Sequence, residues 1–362
     1  MRRILLLTLE YPPDRGGVAR YYGGLVGAMP AGSVVVMRAR LSRWIWPRWL
    51  PLLWQVWRTV RREKITEIWG GHLLPLGTVV YLLKKLLTTN YKLQTTVFVH
   101  GYDLLLAETH PRKRMIARRI LNSADRIVTN SEYGKSLVVA RGISEAKVTV
   151  VYPCPTAVFS PFARGSERGL RERYHLEDKK ILLTVARLVE RKGIDLVLEA
   201  LKKIDNPNIV YVIIGDGPEK EKLNLQLTTY NLSALLVGAV SDKALSMWYA
   251  LCDVFIMTPR KIGPDVEGFG LVYLEANAFG KPVIGSRTGG VPEAVVDGET
   301  GLLVNEGDVD GIAKAIERLF SDDALRKKLG EQGRTRVEQE FQWETQAQIL
   351  FERSRELPFG EG

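Results

Sequence analysis

The chain alternates short apolar runs with stretches of helical periodicity along its length. Six runs fall in the first half, at Ile4–Thr8, Val34–Met37, Ile65–Trp69, Thr95–Val99, Arg126–Thr129 and Val148–Val151. Six more follow, at Ile181–Val185, Ile209–Ile214, Leu235–Val237, Val254–Met257, Pro282–Gly285 and Gly301–Val304. Short apolar runs separated by helical patterns predict buried parallel strands with crossover helices. The alternation lapses over 152–175 into Tyr-Pro-Cys-Pro-Thr and a charged stretch, which predicts a linker. The expected fold class is α/β. Two doubly wound, Rossmann-like domains, 1–165 and 166–342, would face a central cleft lined by the carboxyl ends of both sheets. A final amphipathic segment from Trp343, within 343–362, is expected to pack back on the first domain.

The chemistry sits in the turns after the strands. The central stretch is Asp265-Val-Glu-Gly-Phe-Gly-Leu-Val-Tyr-Leu-Glu275-Ala, a glycine-punctuated turn running into a helical pattern. Gly268 and Gly270 let backbone approach a ligand, and a helix starting there offers free N–H groups to a phosphate. Leu271, Leu274, Ala278 and Phe279 are expected to face a core. If the whole stretch is helical, Glu267 and Glu275 lie roughly 12 Å apart along the axis. That span suits the two ends of a sugar nucleotide, although two solvated glutamates on a surface helix would give the same pattern. Gly16-Gly17 follows the first run, and His100-Gly-Tyr-Asp103 follows the fourth, where His100 reads as a hydrogen-bond donor or proton carrier, or as a structural histidine. Arg187 and Lys192 follow the seventh run, where two cations suit a diphosphate and equally suit an exposed charged loop. Gly215-Asp-Gly-Pro218 and Gly289-Gly-Val-Pro-Glu293 mark two further strand-to-helix turns, and Val296–Leu303 reads as a hairpin-type turn.

Charge changes the picture of the first half. The net charge is +10, but residues 1–165 carry 25 Lys and Arg against 9 Asp and Glu, so the first half is strongly basic and the remainder mildly acidic. That asymmetry suggests an anionic partner. It concentrates in Arg38–Arg62, which holds seven Arg, five of the eight Trp and no acid. Arg43, Trp44, Trp46, Arg48, Trp49, Trp54, Trp57 and Arg58 are the candidate membrane or acceptor residues, with Tyr102 and Asp103 beside them. Leu50, Leu53, Trp54, Trp57 and Val60 are expected to share one helix face. Trp with Arg at an apolar boundary describes a helix lying in a bilayer interface, unless the tryptophans are core and the arginines a solvated face. No accompanying signature points to nucleic acid. Two well-separated cysteines, Cys154 and Cys252, supply neither a disulfide framework nor metal-ligand spacing and fit a reducing cytoplasm.

Taken in order, these pieces resemble the retaining GT-B glycosyltransferases of the glycogen-synthase-like and phosphatidylinositol mannosyltransferase-like group. The matching residues are Gly16-Gly17, His100-Gly-Tyr-Asp103, Arg187 with Arg191-Lys192-Gly193, Gly215-Asp-Gly-Pro218, Glu267-Gly-Phe-Gly with Glu275-Ala, Gly289-Gly-Val-Pro-Glu293 and Asp297-Gly-x-Thr-Gly. The stretch around Glu267 looks most like the phosphatidylinositol mannosyltransferase branch. One departure is Tyr152-Pro-Cys-Pro-Thr-Ala-Val-Phe-Ser-Pro-Phe162, which lacks the family's Gly-Val-Asp core.

The resemblance implies a nucleotide-sugar donor held mainly by the second domain. By carry-over, His100, Glu267, Arg187 and Lys192 are catalytic. Gly16, Gly17, Gly215, Gly268, Phe269, Gly270, Leu271 and Val272 join Arg187, Lys192 and Glu267 around the donor, with Glu275 on its ribose. It further implies retention of configuration, no cofactor and no metal. The function expected is transfer of a hexose, with mannose from GDP-mannose the first guess, to a lipid or lipid-linked acceptor. The site would be an anionic membrane surface on the cytoplasmic side, without nucleic acid. Transfer to a soluble sugar or sugar phosphate, and non-catalytic binding of nucleotide-sugar or nucleic acid, are the alternatives.

Overall fold

A computed structural model describes residues 3–14, 16–87, 93–156 and 167–352. They form two compact units, Met1–Pro153 with Trp343–Gly362, and Cys154–Gln342. The division therefore falls at Pro153/Cys154, about a dozen residues before the expected domain boundary at 165/166, and most of the stretch between lies outside the described residues.

In the first unit the strands are β1 (Ile4–Thr8), β2 (Val34–Arg38), β3 (Glu67–Gly70), β4 (Gln94–Val99), β5 (Arg126–Thr129) and β6 (Val148–Val150). They form one parallel sheet in the order β2-β1-β3-β4-β5-β6. Between them run α1 (Gly17–Gly27), α2 (Leu50–Arg62), α3 (Leu76–Leu87), α4 (Tyr102–Glu108), α5 (Pro111–Ser123) and α6 (Glu132–Val139). The second unit holds α7 (Glu167–Tyr174), β7 (Lys180–Val185), α8 (Ile194–Leu201), β8 (Ile209–Ile214), α9 (Lys220–Tyr230), β9 (Ala234–Gly238), α10 (Asp242–Leu251) and β10 (Val254–Ile256). It continues with α11 (Leu271–Ala278), β11 (Val283–Ser286), α12 (Val291–Ala294), β12 (Gly301–Val304), α13 (Val309–Ser321) and α14 (Asp323–Glu340). Its sheet, also parallel, runs β12-β11-β10-β7-β8-β9. All twelve apolar runs are strands. Half of them are wholly buried because helices cover both faces of a parallel sheet, while the edge strands β2 and β9 are only partly covered. The expected hairpin at 296–303 is not one, since β12 pairs parallel with β11.

Both sheets reverse their winding direction once, between β1 and β3 in the first unit and between β7 and β10 in the second. Open α/β sheets take ligands at the carboxyl ends of the strands flanking such a reversal, because there the connecting loops diverge and leave backbone groups exposed. The residues singled out after β1, β7 and β10 thus lie at or beside the two positions where topology makes room.

The last helix, α15 (Trp343–Glu352), packs on α1. The Trp343 ring lies 5.6 Å from that of Tyr21. A Cβ on Gly24 would fall 2.1 Å from the Trp343 indole, so this contact requires glycine. Arg126 Nη1 donates to the Leu350 carbonyl at 2.9 Å and the Tyr152 N–H to Gln346 Oε1 at 2.8 Å.

Helix α2 departs from the expected face. Leu52, Val56 and Val60 point to the core, while Leu50, Trp54 and Trp57 are exposed. Apolar character put Val60 with the tryptophans, but helical geometry separates them. No described helix is long and apolar enough to cross a membrane. Leu52→Ala is expected to cost about 2–5 kcal/mol, because it opens a cavity, and Trp54→Ala within about 0.5 kcal/mol. Urea denaturation of the two variants checks the assignment, and equal losses would reverse it.

Candidate functional site

In the second unit the loops after β7 and β10 are stitched together by backbone. The Arg260 N–H donates to the Arg191 carbonyl at 2.8 Å, and Thr258 Oγ1 to the Gly193 carbonyl at 3.1 Å. A Cβ on Gly193 would fall 2.0 Å from the Thr258 oxygen, which leaves no room for another residue there. On this frame sits a cluster of charge. Arg191 Nη1 and Lys192 Nζ each lie 2.5 Å from Glu267 Oε2, and Arg191 Nε is 2.8 Å from Asp265. Burial alone would raise the Glu267 pKa, but Lys192 and Arg191 outweigh it and hold the carboxyl down at about 2. Burial lowers that of the Lys192 ammonium, opposed by Glu267. Two cations and two carboxylates balance, so the cluster is internally neutral. Arg187 stands apart, exposed, its side chain without a protein partner among the described residues. It is the cation at this turn left for a ligand.

Glu267 precedes the helix rather than sitting in it, since α11 begins at Leu271 with Gly270 in the left-handed region at φ +91. The separation derived from a continuous helix between Glu267 and Glu275 therefore does not apply. Tyr273, Leu274 and Glu275 are buried, while Leu271, Ala278 and Phe279 are only half-buried, so the expected core face is displaced. Glu275 is enclosed, its carboxylate accepting from the Tyr249 hydroxyl at 2.8 Å, and it presents nothing to a ribose in this conformation. Phe269 is also buried, its ring 5.9 Å from Phe341. Gly215 faces the Ala186 carbonyl, so backbone packing explains that glycine. The first N–H groups of α11, on Leu271 and Val272, have no backbone partner among the described residues and are available to an anion beside half-buried Gly268. Glu267 itself is fixed from behind, where the Gly290 N–H donates to its carbonyl at 3.0 Å.

In the first unit, Gly16 and Gly17 open α1 after β1. His100 follows β4 and is half-buried, with Nε2 3.0 Å from the Tyr22 hydroxyl and 3.2 Å from the Gly71 carbonyl. Asp103 is not a free contact residue. Its carboxylate accepts from the N–H groups of Leu73, His100 and Leu104 at 2.9–3.0 Å, tying the loop after β3 to the loop after β4. Tyr102 is exposed. The tryptophans of the basic stretch are not core. Trp44, Trp46 and Trp54 are 95%, 88% and 60% exposed, and Trp49 alone of the five is half-buried. Arg58 and Arg61 lie over the rings of Trp54 and Trp57, each 5.5 Å from the centroid, and Arg43 and Arg48 are exposed.

Residues 167–336 match the family model described as glycosyl transferases group 1, and residues 4–154 the model for glycosyltransferase family 4. The chain is 31% identical over 377 residues to a GDP-mannose-dependent alpha-(1-6)-phosphatidylinositol monomannoside mannosyltransferase of Mycolicibacterium smegmatis, covering 96% of this chain and 97% of that one. It belongs to the group 1 glycosyltransferases. A Corynebacterium glutamicum relative, a GDP-mannose-dependent monoacylated alpha-(1-6)-phosphatidylinositol monomannoside mannosyltransferase, is 26% identical with 96% and 97% covered. The crystal structure of Anabaena HepE in complex with UDP and glucose superimposes with a TM-score of 0.82 at 19% identity, covering 99% of this chain and all of that one. This glycosyltransferase therefore has the GT-B fold.

Sequence reasoning missed three members of the glycosyltransferase's candidate sites. Arg191 and Asp265 complete the charge cluster, and His72 packs against His100 in the first unit. Adjacent charges at Arg191-Lys192 hinted at the first, but only the fold brings Asp265 to them. Glu267→Gln is expected to cost about 3–5 kcal/mol, because it leaves buried cations short of a partner, and Lys192→Met with it should cost less than the sum of the two. With its pKa depressed, Glu267 stabilises the fold above its ordinary value of 4.5 and loses that contribution as pH falls towards 2. The stability gap between wild type and Glu267→Gln should narrow over that window in denaturant titrations; a gap independent of pH would rule out the ion-pair account.

Proposed function

We propose that this glycosyltransferase moves mannose from GDP-mannose to a lipid or lipid-linked acceptor, with retention of configuration and without a metal or other cofactor. It would do so as a peripheral protein on the cytoplasmic face of an anionic membrane. The observation that carries the reading is Glu267, a carboxylate kept ionised at the carboxyl end of the sheet by Lys192 and Arg191. An ionised carboxylate accepts hydrogen bonds from sugar hydroxyls. Arg187 and the first N–H groups of α11 are suited to the diphosphate, where their pull grows as the leaving group gains charge. The GDP-mannose dependence of the relatives from Mycolicibacterium and Corynebacterium supports the choice of donor.

The surroundings of the carboxylates argue against retention through a covalent glycosyl-enzyme. A double displacement needs a free nucleophilic carboxylate with a second one about 5 Å away. Glu267 is committed to two cations and Glu275 is enclosed by Tyr249. With retention taken from the family resemblance, the route left is attack from the face the nucleotide leaves.

The membrane reading is supported by the exposed tryptophans and arginines around α2. Each Arg near an anionic surface adds about 1 kcal/mol, and indole rings settle at the headgroup level. The relatives' named acceptors are phosphatidylinositol mannosides, whose headgroups lie at such a surface.

The test is transfer of labelled mannose from GDP-mannose to phosphatidylinositol or its monomannoside in vesicles, with the product's anomeric configuration read by NMR. An α-linked lipid product is expected; transfer only to soluble sugars, or inversion, would reject the proposal. Arg187→Ala should raise the donor KM about 10- to 100-fold, from loss of a charge-assisted hydrogen bond, with melting temperature unchanged. In vesicle sedimentation, the Trp44→Ala, Trp46→Ala, Trp54→Ala triple variant should lose binding to anionic vesicles and keep its fold. Wild-type binding should weaken with added salt. Unchanged binding by the triple variant would remove the membrane face.

A further inference from the structure

Arg191 is gripped twice by the loop that follows β10. Its backbone is held first, since the Arg260 N–H donates to the Arg191 carbonyl at 2.8 Å. Arg260 is itself fixed by Asp195 and Glu190, with Nη2 2.9 Å from Asp195 Oδ2 and 3.2 Å from Glu190 Oε1. The loop then doubles back over Gly263 and Pro264. Ile262 and Asp265 exchange both backbone hydrogen bonds at 2.9 Å, and Gly263, first of the two central residues, takes the positive φ of +56 that such a reversal uses. This return brings the Asp265 carboxylate to the Arg191 side chain, Oδ1 lying 2.8 Å from Nε.

A guanidinium beside one carboxylate commonly meets it with two parallel N–H bonds, one to each oxygen. Here the fork is divided. Arg191 turns Nη1 to Glu267 and Nε to Asp265. Arg191 and Lys192 then share a single oxygen of Glu267, Oε2, each at 2.5 Å. The other oxygen, Oε1, takes no hydrogen bond from a described residue and is not enclosed, so it is open to a ligand.

We propose that Asp265 is a positioning residue for the donor's sugar: it holds Arg191 on one oxygen of Glu267 and so keeps Oε1 free for a hydroxyl of the transferred hexose. Without Asp265, Glu267 is the one carboxylate left against Arg191 among the described residues, and the guanidinium would chelate it and cover Oε1. Only a forked cation does this. A lysine in place of Arg191 is a point charge that cannot span both oxygens as parallel bonds. The inference rests on the reading of this chain as a transferase that takes its sugar from GDP-mannose.

Two experiments on the full chain test it. Calorimetric titration of GDP and of GDP-mannose gives the ratio of their affinities, a readout in which a partly unfolded sample cancels. Asp265→Ala should cut the wild-type preference for GDP-mannose at least about tenfold, as expected for losing one hydrogen bond to a charged group. The double variant Asp265→Ala, Arg191→Lys should recover most of that preference. An unchanged ratio in Asp265→Ala would overturn the proposal, and so would a double variant as poor as the single one, which would leave Asp265 a part of the turn and nothing more. Asp265→Asn keeps the side chain's shape without its charge, should move the ratio in the same direction, and serves if the alanine variant does not fold; a full wild-type preference there would count equally against the proposal. If wild type itself shows no preference for GDP-mannose over GDP, the donor reading falls first. Crystal structures of ligand-free wild type and Asp265→Ala then decide the role of Asp265 by themselves. Arg191 is expected on both oxygens of Glu267 in the variant, and an Arg191 left on Oε2 alone would overturn the proposal.

Discussion

The structure of the donor-side site depends on one buried carboxylate held between two cations. Burial pushes Glu267 towards protonation and the Lys192 and Arg191 charges hold it ionised, while neither cation is cheap to bury without it. Asp265 balances the remaining charge on Arg191. Such a cluster is poor at adding stability against an apolar core of the same volume, and good at fixing geometry, because each partner has one low-energy place to be. Its neutrality also explains the division of labour with Arg187. The balanced cluster orients an anionic acceptor of hydrogen bonds, and the exposed arginine supplies attraction for a polyanion.

Backbone does the positioning. The loops after β7 and β10 are joined by main-chain hydrogen bonds, and Gly193, Gly289 and Gly290 sit where any Cβ would meet a carbonyl oxygen. Several glycines that read as cradles for a ligand are therefore packing residues that bring one loop onto another. Gly215 is the plainest case, since the Ala186 carbonyl occupies the space a side chain would need. The same economy operates in the first unit, where the Asp103 carboxylate holds two histidine-bearing loops at fixed spacing with three backbone N–H groups.

The fold was largely legible in the residues because a parallel sheet buried on both faces leaves unbroken apolar runs, and each of the twelve became a strand. Helix faces were harder. Around Trp54 and Trp57, apolar character grouped Val60 with the exposed tryptophans, while the helical period put Val60 with Leu52 and Val56 in the core. The start of α11 was hidden by Gly270, whose positive φ breaks the helix that the apolar spacing extended back to Glu267. Glu275 and Asp103 read as ligand contacts because carboxylates near glycines often are, yet their partners are Tyr249 and backbone, from distant or neighbouring segments. His72 carried no local signal beyond the glycine before it. Only the strand order, which puts β3 beside β1, marks its position as special.

Calorimetric titration of GDP and of GDP-mannose into wild type and Glu267→Gln is the most direct measurement of the central carboxylate. The account predicts that GDP-mannose binds wild type more tightly than GDP does, and that this advantage shrinks towards none in Glu267→Gln while GDP alone binds as well or better, its phosphates now meeting less compensated cations. An advantage for the sugar that survives the substitution intact would contradict it.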